Sequence, residues 1–67
     1  MVRSVNRAFG ILQKLGESGG MTVSDLSRDL GFAKSTVHDI ISTLEGQGIV
    51  VKDPELLTYG LGWRLFE

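Results

Sequence analysis

The sequence has no cysteine, one proline and one histidine among its 67 residues. The lack of cysteine excludes disulfides, thiolate catalysis and cysteine-ligated zinc, and one histidine is too few to build a metal site alone. No apolar run approaches the roughly 20 residues of a membrane-spanning helix. Arg3 and Arg7 lie where a secretory leader would be hydrophobic. We therefore expect a cytoplasmic protein that needs no metal or other cofactor.

The chain also has little net charge. Seven Lys/Arg against eight Asp/Glu give a formal charge of −1. DNA affinity comes largely from neutralising phosphates, so DNA binding would require the cations to be sorted onto one face. Hydrophobic residues make up 42% of the chain, which is enough for one core. A single domain of this size has too few residues to enclose a substrate and no nucleophile–base pair at a usable spacing, so we predict that it is not an enzyme.

Hydrophobic spacing and capping residues predict three helices. The first spans residues 4–16, with Ser4 as its N-cap and Gly16 as its stop. Its predicted buried stripe consists of Val5, Ala8, Phe9, Leu12 and Leu15. The second spans residues 22–30, between an N-cap at Thr22 and a left-handed Gly31.

The third helix is predicted from Ala33 to about Gln47, with Gly48 closing it. Its predicted buried side consists of Ala33, Val37, Ile40, Ile41 and Leu44. The short turn before it is typical of a helix-turn-helix over residues 22–47, although a helical hairpin in a small bundle has the same spacing.

The segment after the third helix favours the first of these alternatives. A β-branched run begins at Ile49, Asp53-Pro54 suits a tight turn, and Leu57, Tyr59 and Leu61 alternate as in a half-buried strand. A wing over residues 49–61 completes a winged helix-turn-helix fold, mainly α with a small β-hairpin. We expect residues 1–67 to form this single domain.

The side of the third helix opposite its apolar stripe carries hydroxyls, an imidazole and charged groups, all able to contact base edges or phosphates. The candidate DNA-binding residues there are Lys34, Ser35, Thr36, His38, Asp39 and Ser42. Thr22 and Ser24 are candidates on the second helix, and Arg3, Arg7 and Arg28 are candidate phosphate contacts. A solvated helix face has the same composition, so composition leaves both interpretations open.

Several of these segments have a familiar pattern. The chain resembles the N-terminal winged helix of IclR-family bacterial transcription regulators. The resemblance is carried by four segments: Met21–Leu26, Leu30–His38, the Asp53-Pro54 turn and Tyr59–Leu65. The resemblance implies a homodimer on a pseudo-palindromic, double-stranded DNA operator, with the third helix in the major groove and the hairpin against the backbone or minor groove.

The resemblance also implies a C-terminal domain, outside this chain, that senses a small-molecule effector. Residues 62–67 would then begin a linker helix, with Trp63, Leu65 and Phe66 as a dimer or linker surface. The alternative is that these side chains fold back onto the first helix as core.

Two regions depart from the family pattern, the wing and the third helix. Leu56 and Leu57 lie at the wing tip, where basic or small polar residues are usual, and Gly60 stands where a cation is common. Asp39 takes a position on the third helix where a cation is frequent. The apolar wing tip and the slightly negative charge leave open a second function, a winged helix that binds another protein.

Overall fold

The computed structural model describes residues 2–62. Its elements, in chain order, are α1 (Arg3–Ser18), α2 (Val23–Leu30), α3 (Lys34–Gly46), β1 (Val50–Lys52) and β2 (Tyr59–Leu61). The two strands form an antiparallel hairpin in which Val50 faces Leu61 and Lys52 faces Tyr59. Three helices followed by a two-stranded hairpin confirm the predicted winged helix.

The ends of α1 differ from the prediction. The helix begins at Arg3 with Val2 in the N-cap position and no side-chain cap, so Ser4 does not cap it. It also continues through Gly16 and ends at Gly19, whose φ of 79° is left-handed. Glycine adopts this conformation without the steric penalty of a Cβ atom, which makes Gly19 the better terminator.

The buried side of α1 agrees with the prediction only in part: Leu15 is buried and Leu12 packs against the core, but other members of the predicted stripe are exposed. Ile11 and Leu15 are almost fully buried, whereas Phe9 is 65% exposed and Val5 is 48% exposed. The inner side of the helix therefore includes Ile11 and leaves out Val5 and Phe9. Ile11 packs in the core, and the ring of Phe9 lies on the surface.

The ends of α2 agree with the predicted capping. The Thr22 hydroxyl accepts a hydrogen bond from the Asp25 N–H at 3.1 Å, and the Asp25 carboxylate accepts one from the Thr22 N–H at 3.4 Å. Gly31 has a φ of 76° and donates its N–H to the Ser27 carbonyl. Both ends are thus satisfied within the helix, so α2 stops sharply before the turn.

The C-terminal end of α3 also follows the prediction. Gly48 has a φ of 76° and donates to the Glu45 carbonyl, while Ile49 donates to the Leu44 carbonyl, each at 3.0 Å. At the other end Ala33 is the N-cap, has no side-chain cap and is exposed, in contrast to its predicted place on the buried side. The two C-terminal bonds satisfy the last carbonyls and direct the chain into β1.

One hydrophobic core joins all five elements. Its buried members are Ile11, Leu15, Met21, Leu26, Val37, Ile41, Val50 and Tyr59. Both strands contribute to it, so the wing is anchored in the same interior as the helices. Within residues 2–62, no helix is both long enough and apolar enough to cross a bilayer.

The base of the wing is tied to the helices by backbone hydrogen bonds. Met21, just before α2, exchanges two bonds with Tyr59 at 2.9 and 2.7 Å. Gly62 donates to the Ile49 carbonyl at 2.6 Å. The Met21–Tyr59 pair fixes the wing relative to the start of α2, and the Gly62 bond extends the hairpin to the residue that precedes β1.

Candidate nucleic-acid interface

The apolar side of α3, its underside, packs against the core. Val37 and Ile41 lie on this underside and are fully buried. Ile40 and Leu44 pack against the same core from the flanks. Because an α-helix repeats every 3.6 residues, this packing fixes which side chains point outward.

The opposite side of α3 presents the residues that the sequence analysis selected. Five of the six are exposed and one, Thr36, is half-buried; the exposed ones are Lys34, Ser35, His38, Asp39 and Ser42. Among residues 2–62, neither Lys34 nor Asp39 forms an ion pair. The structure therefore brings these side chains together on one polar surface, which we call the α3 face.

The turn before α3 is held by a residue that the sequence analysis did not select. The Ser27 hydroxyl donates to the Phe32 carbonyl at 2.5 Å, across the Gly31 turn. This bond links the last part of α2 to the residue that precedes the Ala33 cap. A serine four residues before a left-handed glycine was the available clue, but its acceptor could not be deduced from spacing alone.

The two candidates on α2 differ in accessibility. Thr22 is half-buried and its hydroxyl already accepts the capping bond, whereas Ser24 is exposed in the first turn. Thr22 therefore has a structural role that is independent of any ligand. Ser24 has its hydroxyl on the surface.

Among the titratable groups of residues 2–62, Asp25 has a pKa that its surroundings clearly shift. Hydrogen bonds from the hydroxyl and then the backbone N–H of Thr22, together with the Arg28 guanidinium, lower the pKa of the Asp25 carboxyl below its ordinary value of 3.8. Asp25 is therefore ionised at neutral pH and completes the capping box.

The three candidate arginines lie in different surroundings. Arg3 is exposed in the first turn of α1. Arg28 pairs with Asp25 at 3.0 Å and with Asp29 at 3.4 Å. Arg7 is half-buried, with its guanidinium carbon 5.1 Å from the centroid of the Phe32 ring. Two acidic neighbours thus offset the charge of Arg28, while Arg7 stacks on an aromatic ring beside the turn.

The wing tip presents different chemistry. Leu56 is 69% exposed and Leu57 is 59% exposed, so Leu57 does not face inward as the predicted alternation required. The Asp53 carboxylate accepts hydrogen bonds from the backbone N–H groups of Glu55 and Leu56, which closes the turn. The tip therefore presents two leucines and two acidic residues.

Trp63, Leu65 and Phe66 lie outside the described residues, as does the predicted linker helix apart from Gly62, which is not helical.

Three helices, a tight turn between the second and third, and an anchored hairpin define a winged helix-turn-helix domain. The model of the IclR helix-turn-helix domain matches residues 4–54. The chain belongs to this family, which confirms the resemblance noted in the sequence.

Proteins of known function carry the same domain. The chain is 39% identical over 66 residues to the HTH-type transcriptional regulator KdgR of Dickeya chrysanthemi, covering 98% of this chain and 22% of that protein. KdgR of Escherichia coli K12 is equally similar, with 98% and 25% covered.

A solved structure supports the same assignment. An IclR transcriptional regulator from Alicyclobacillus acidocaldarius superposes with a TM-score of 0.92 at 31% identity, over 97% of this chain and 27% of that one. The chain thus spans about a quarter of the length of the curated relatives it matches. These relatives are transcriptional regulators and not enzymes, and they do not favour the protein–protein alternative.

Proposed function

We propose that this chain binds duplex DNA through the α3 face, as the DNA-binding part of a transcriptional regulator. One observation carries the proposal: Val37 and Ile41 are fully buried, while Lys34, His38 and Ser42 remain exposed on the other side. The helix is fixed by apolar packing and its free surface is polar.

The dimensions suit this role. A helix with its side chains is about 10–12 Å across, and the major groove of B-form DNA is about 12 Å wide. The α3 face has no large apolar side chain to exclude it from a hydrated groove. We assign Lys34 to a phosphate or a guanine edge and Ser35, Thr36, His38 and Ser42 to base edges or phosphates.

Asp39 has a narrower role in this proposal. A carboxylate can accept a hydrogen bond from the amino group of cytosine and is repelled by phosphates. Asp39 is exposed on the α3 face, so we assign it to sequence discrimination and not to affinity. Ser24, exposed at the start of α2, is assigned to a phosphate across the groove, and Thr22 to holding that helix end.

We further propose that the whole protein is a cytoplasmic homodimer on a two-fold operator, with a small-molecule effector acting through a further domain. Helix-turn-helix dimers place two recognition helices about one helical turn of DNA apart, about 34–36 Å. The exposed apolar side chains of Val2, just before α1, and of Val5 and Phe9 on α1 support a contact between two copies. Phe9→Ser should therefore weaken cooperative binding to paired half-sites while leaving binding to one half-site unchanged.

The test begins by selecting duplexes from a random-sequence library with the 67-residue chain. Affinity for the selected duplex and for a scrambled duplex is then measured by fluorescence anisotropy over a range of salt concentrations. We expect the wild-type affinity to fall steeply with salt and to favour the selected duplex.

The triple substitution Lys34→Ala, Ser35→Ala and His38→Ala should weaken specific binding about 100-fold or more, since several contacts of about 1–3 kcal/mol each are removed. The control, Gln13→Ala with Lys14→Ala, removes one cation from α1 outside the proposed interface. Equal affinity for both duplexes, or a triple variant within twofold of wild type, would overturn the proposal.

A further inference from the structure

We propose that Arg7 of α1 is a phosphate-binding residue of the DNA interface, positioned by the ring of Phe32, and that Arg28 is not. The inference rests on the proposed function. It extends the interface from α2 and α3 to α1. It also assigns different roles to Arg7 and Arg28, which the sequence alone does not distinguish as candidate phosphate contacts.

The first step is the position of Arg7. Its guanidinium carbon lies 5.1 Å from the Phe32 ring centroid. Phe32 precedes the α3 N-cap, Ala33, so the stacking brings a cation of α1 to the start of the recognition helix. Arg7 and Phe32 are far apart in the sequence, so only the fold brings them together.

The second step is the rigidity of the platform. The Ser27 hydroxyl donates to the Phe32 carbonyl at 2.5 Å, and the left-handed Gly31 fixes the chain just before it. Phe32 is half-buried and packs against the core. The position of the ring is therefore set by contacts that do not involve Arg7, and the guanidinium lies over a side chain that the turn and the core already hold.

The third step is the state of the charge. Within residues 2–62 the structure shows no ion pair for Arg7, whereas Arg28 is paired with both Asp25 and Asp29. A guanidinium over an aromatic ring keeps its full charge, and the ring accepts no more than a part of its five N–H donors. The edge of a guanidinium is planar and matches two oxygens of a phosphate. Arg7 is thus charged, and no acidic side chain within residues 2–62 pairs with it.

The fourth step is what a cation meets at this place. In helix-turn-helix complexes the recognition helix lies in the major groove and the preceding elements cross the sugar–phosphate backbone. Arg7 lies beside the turn and not on the α3 face, so its partner is the backbone and not a base edge. A backbone contact contributes equally to every DNA sequence.

The test compares Arg7→Ala with Arg28→Ala, because each removes one cation. For Arg7→Ala we expect about tenfold weaker binding at 0.1 M salt, by the same factor for the selected and the scrambled duplex. The slope of log affinity against log salt should become shallower by about 0.9, the value for one phosphate. Arg28→Ala should keep the wild-type slope and stay within twofold in affinity.

The role of Phe32 is tested by Phe32→Leu, which keeps an apolar side chain but removes the ring. We expect about threefold weaker binding, and no further loss when Phe32→Leu is added to Arg7→Ala, because both act through one contact. Purely structural damage would add to the loss from Arg7→Ala and would lower the melting temperature in proportion.

If Arg7→Ala does not fold, Arg7→Gln keeps most of the side chain and is measured in the same way. An unchanged salt slope in a folded Arg7 variant, or an equal decrease for Arg28→Ala, would overturn this inference. The α3 triple variant would still decide the proposed function on its own. A wild-type chain that binds no DNA would overturn both.

Discussion

α3 and the wing tip are both exposed, but they present opposite chemistry. α3 buries its apolar residues and presents Lys34 and His38, whereas the wing tip leaves Leu56 and Leu57 more than half exposed. α3 is held by side chains in the core, and the tip is held by backbone hydrogen bonds to Asp53. α3 thus presents polar and charged groups to solvent, whereas the tip presents apolar side chains beside acidic ones. This contrast favours α3 over the tip for the proposed contact with DNA.

The largest expected effect is on stability, where α3 and the wing tip should contribute very differently to the free energy of unfolding. Ile41→Ala, under α3, should lower the free energy of unfolding by about 2–5 kcal/mol, because it removes a fully buried side chain and leaves a cavity. Leu56→Ala, at the tip, should change it by less than about 0.5 kcal/mol. Urea denaturation followed by circular dichroism measures both. Comparable losses would show that the tip also belongs to the core.

The next prediction concerns the junction between the wing and α3. A Cβ atom on Gly62 would overlap the Gly48 carbonyl oxygen and lie 3.1 Å from the carbonyl carbon of Ile49. Since backbone atoms cannot move aside easily, Gly62→Ala should destabilise the fold by about 1–3 kcal/mol.

The matched control for Gly62 is Gly46, the last residue of α3. A Cβ atom there meets nothing within 4 Å, so Gly46→Ala should stabilise the fold by about 0.5–1 kcal/mol through the unfolded-state entropy of glycine. Thermal melts of the two variants should therefore move in opposite directions. Melts that move together would mean that the wing is not tightly joined to α3.

The parts of the fold that the sequence predicts best are those set by local interactions. The capping box of Thr22 and Asp25 and the glycine ends at Gly31 and Gly48 involve residues within a few positions of each other. Each could be derived from spacing alone. The outward side of α3 follows too, because Val37 and Ile41 fix the helical phase.

The parts that were missed depend on contacts between distant segments. The apolar stripe of α1 is wider than its buried side, and packing against the rest of the fold buries Ile11 at one edge and leaves Phe9 exposed at the other. Gly16 stays helical, and a Cβ atom there would lie 3.3 Å from the Leu61 side chain. The stacking of Arg7 on Phe32 joins α1 to the turn before α3, and no local pattern encodes it.

A smaller effect is expected at the start of α2, beside the Met21–Tyr59 hydrogen bonds that hold the wing. Thr22→Ala removes the acceptor for the Asp25 N–H and should cost about 1 kcal/mol of stability. Thr22→Ser keeps the hydroxyl and is the control. A loss of the same size for Thr22→Ser would show that the cap is not the cause.

The carboxylate half of the same capping box predicts a pH dependence. The pKa of Asp25 is lowered in the folded state, so its contribution is fully present above the ordinary value of 3.8 and is lost as the pH falls through the lowered folded value. The stability difference between wild type and Asp25→Ala should therefore be constant near neutral pH and shrink below about pH 3.8. Denaturation curves from pH 7 to pH 2 measure it, and a difference that grows on acidification would contradict the assignment.

The smallest effect is expected at the wing tip itself. Leu57 has a φ of 58°, a left-handed conformation that disfavours leucine, and its side chain is 59% exposed. Leu57→Gly relieves this strain but gives the unfolded chain more freedom, so the two effects nearly cancel and stability should rise by less than about 1 kcal/mol. Leu57→Asn, which tolerates the same backbone, controls for loss of the apolar side chain.

If the tip makes no DNA contact, both variants should bind the selected duplex within twofold of wild type. A loss of fivefold or more in both variants, with unchanged melting temperatures, would mean that the leucine inserts into DNA and that the contrast between α3 and the wing tip does not hold.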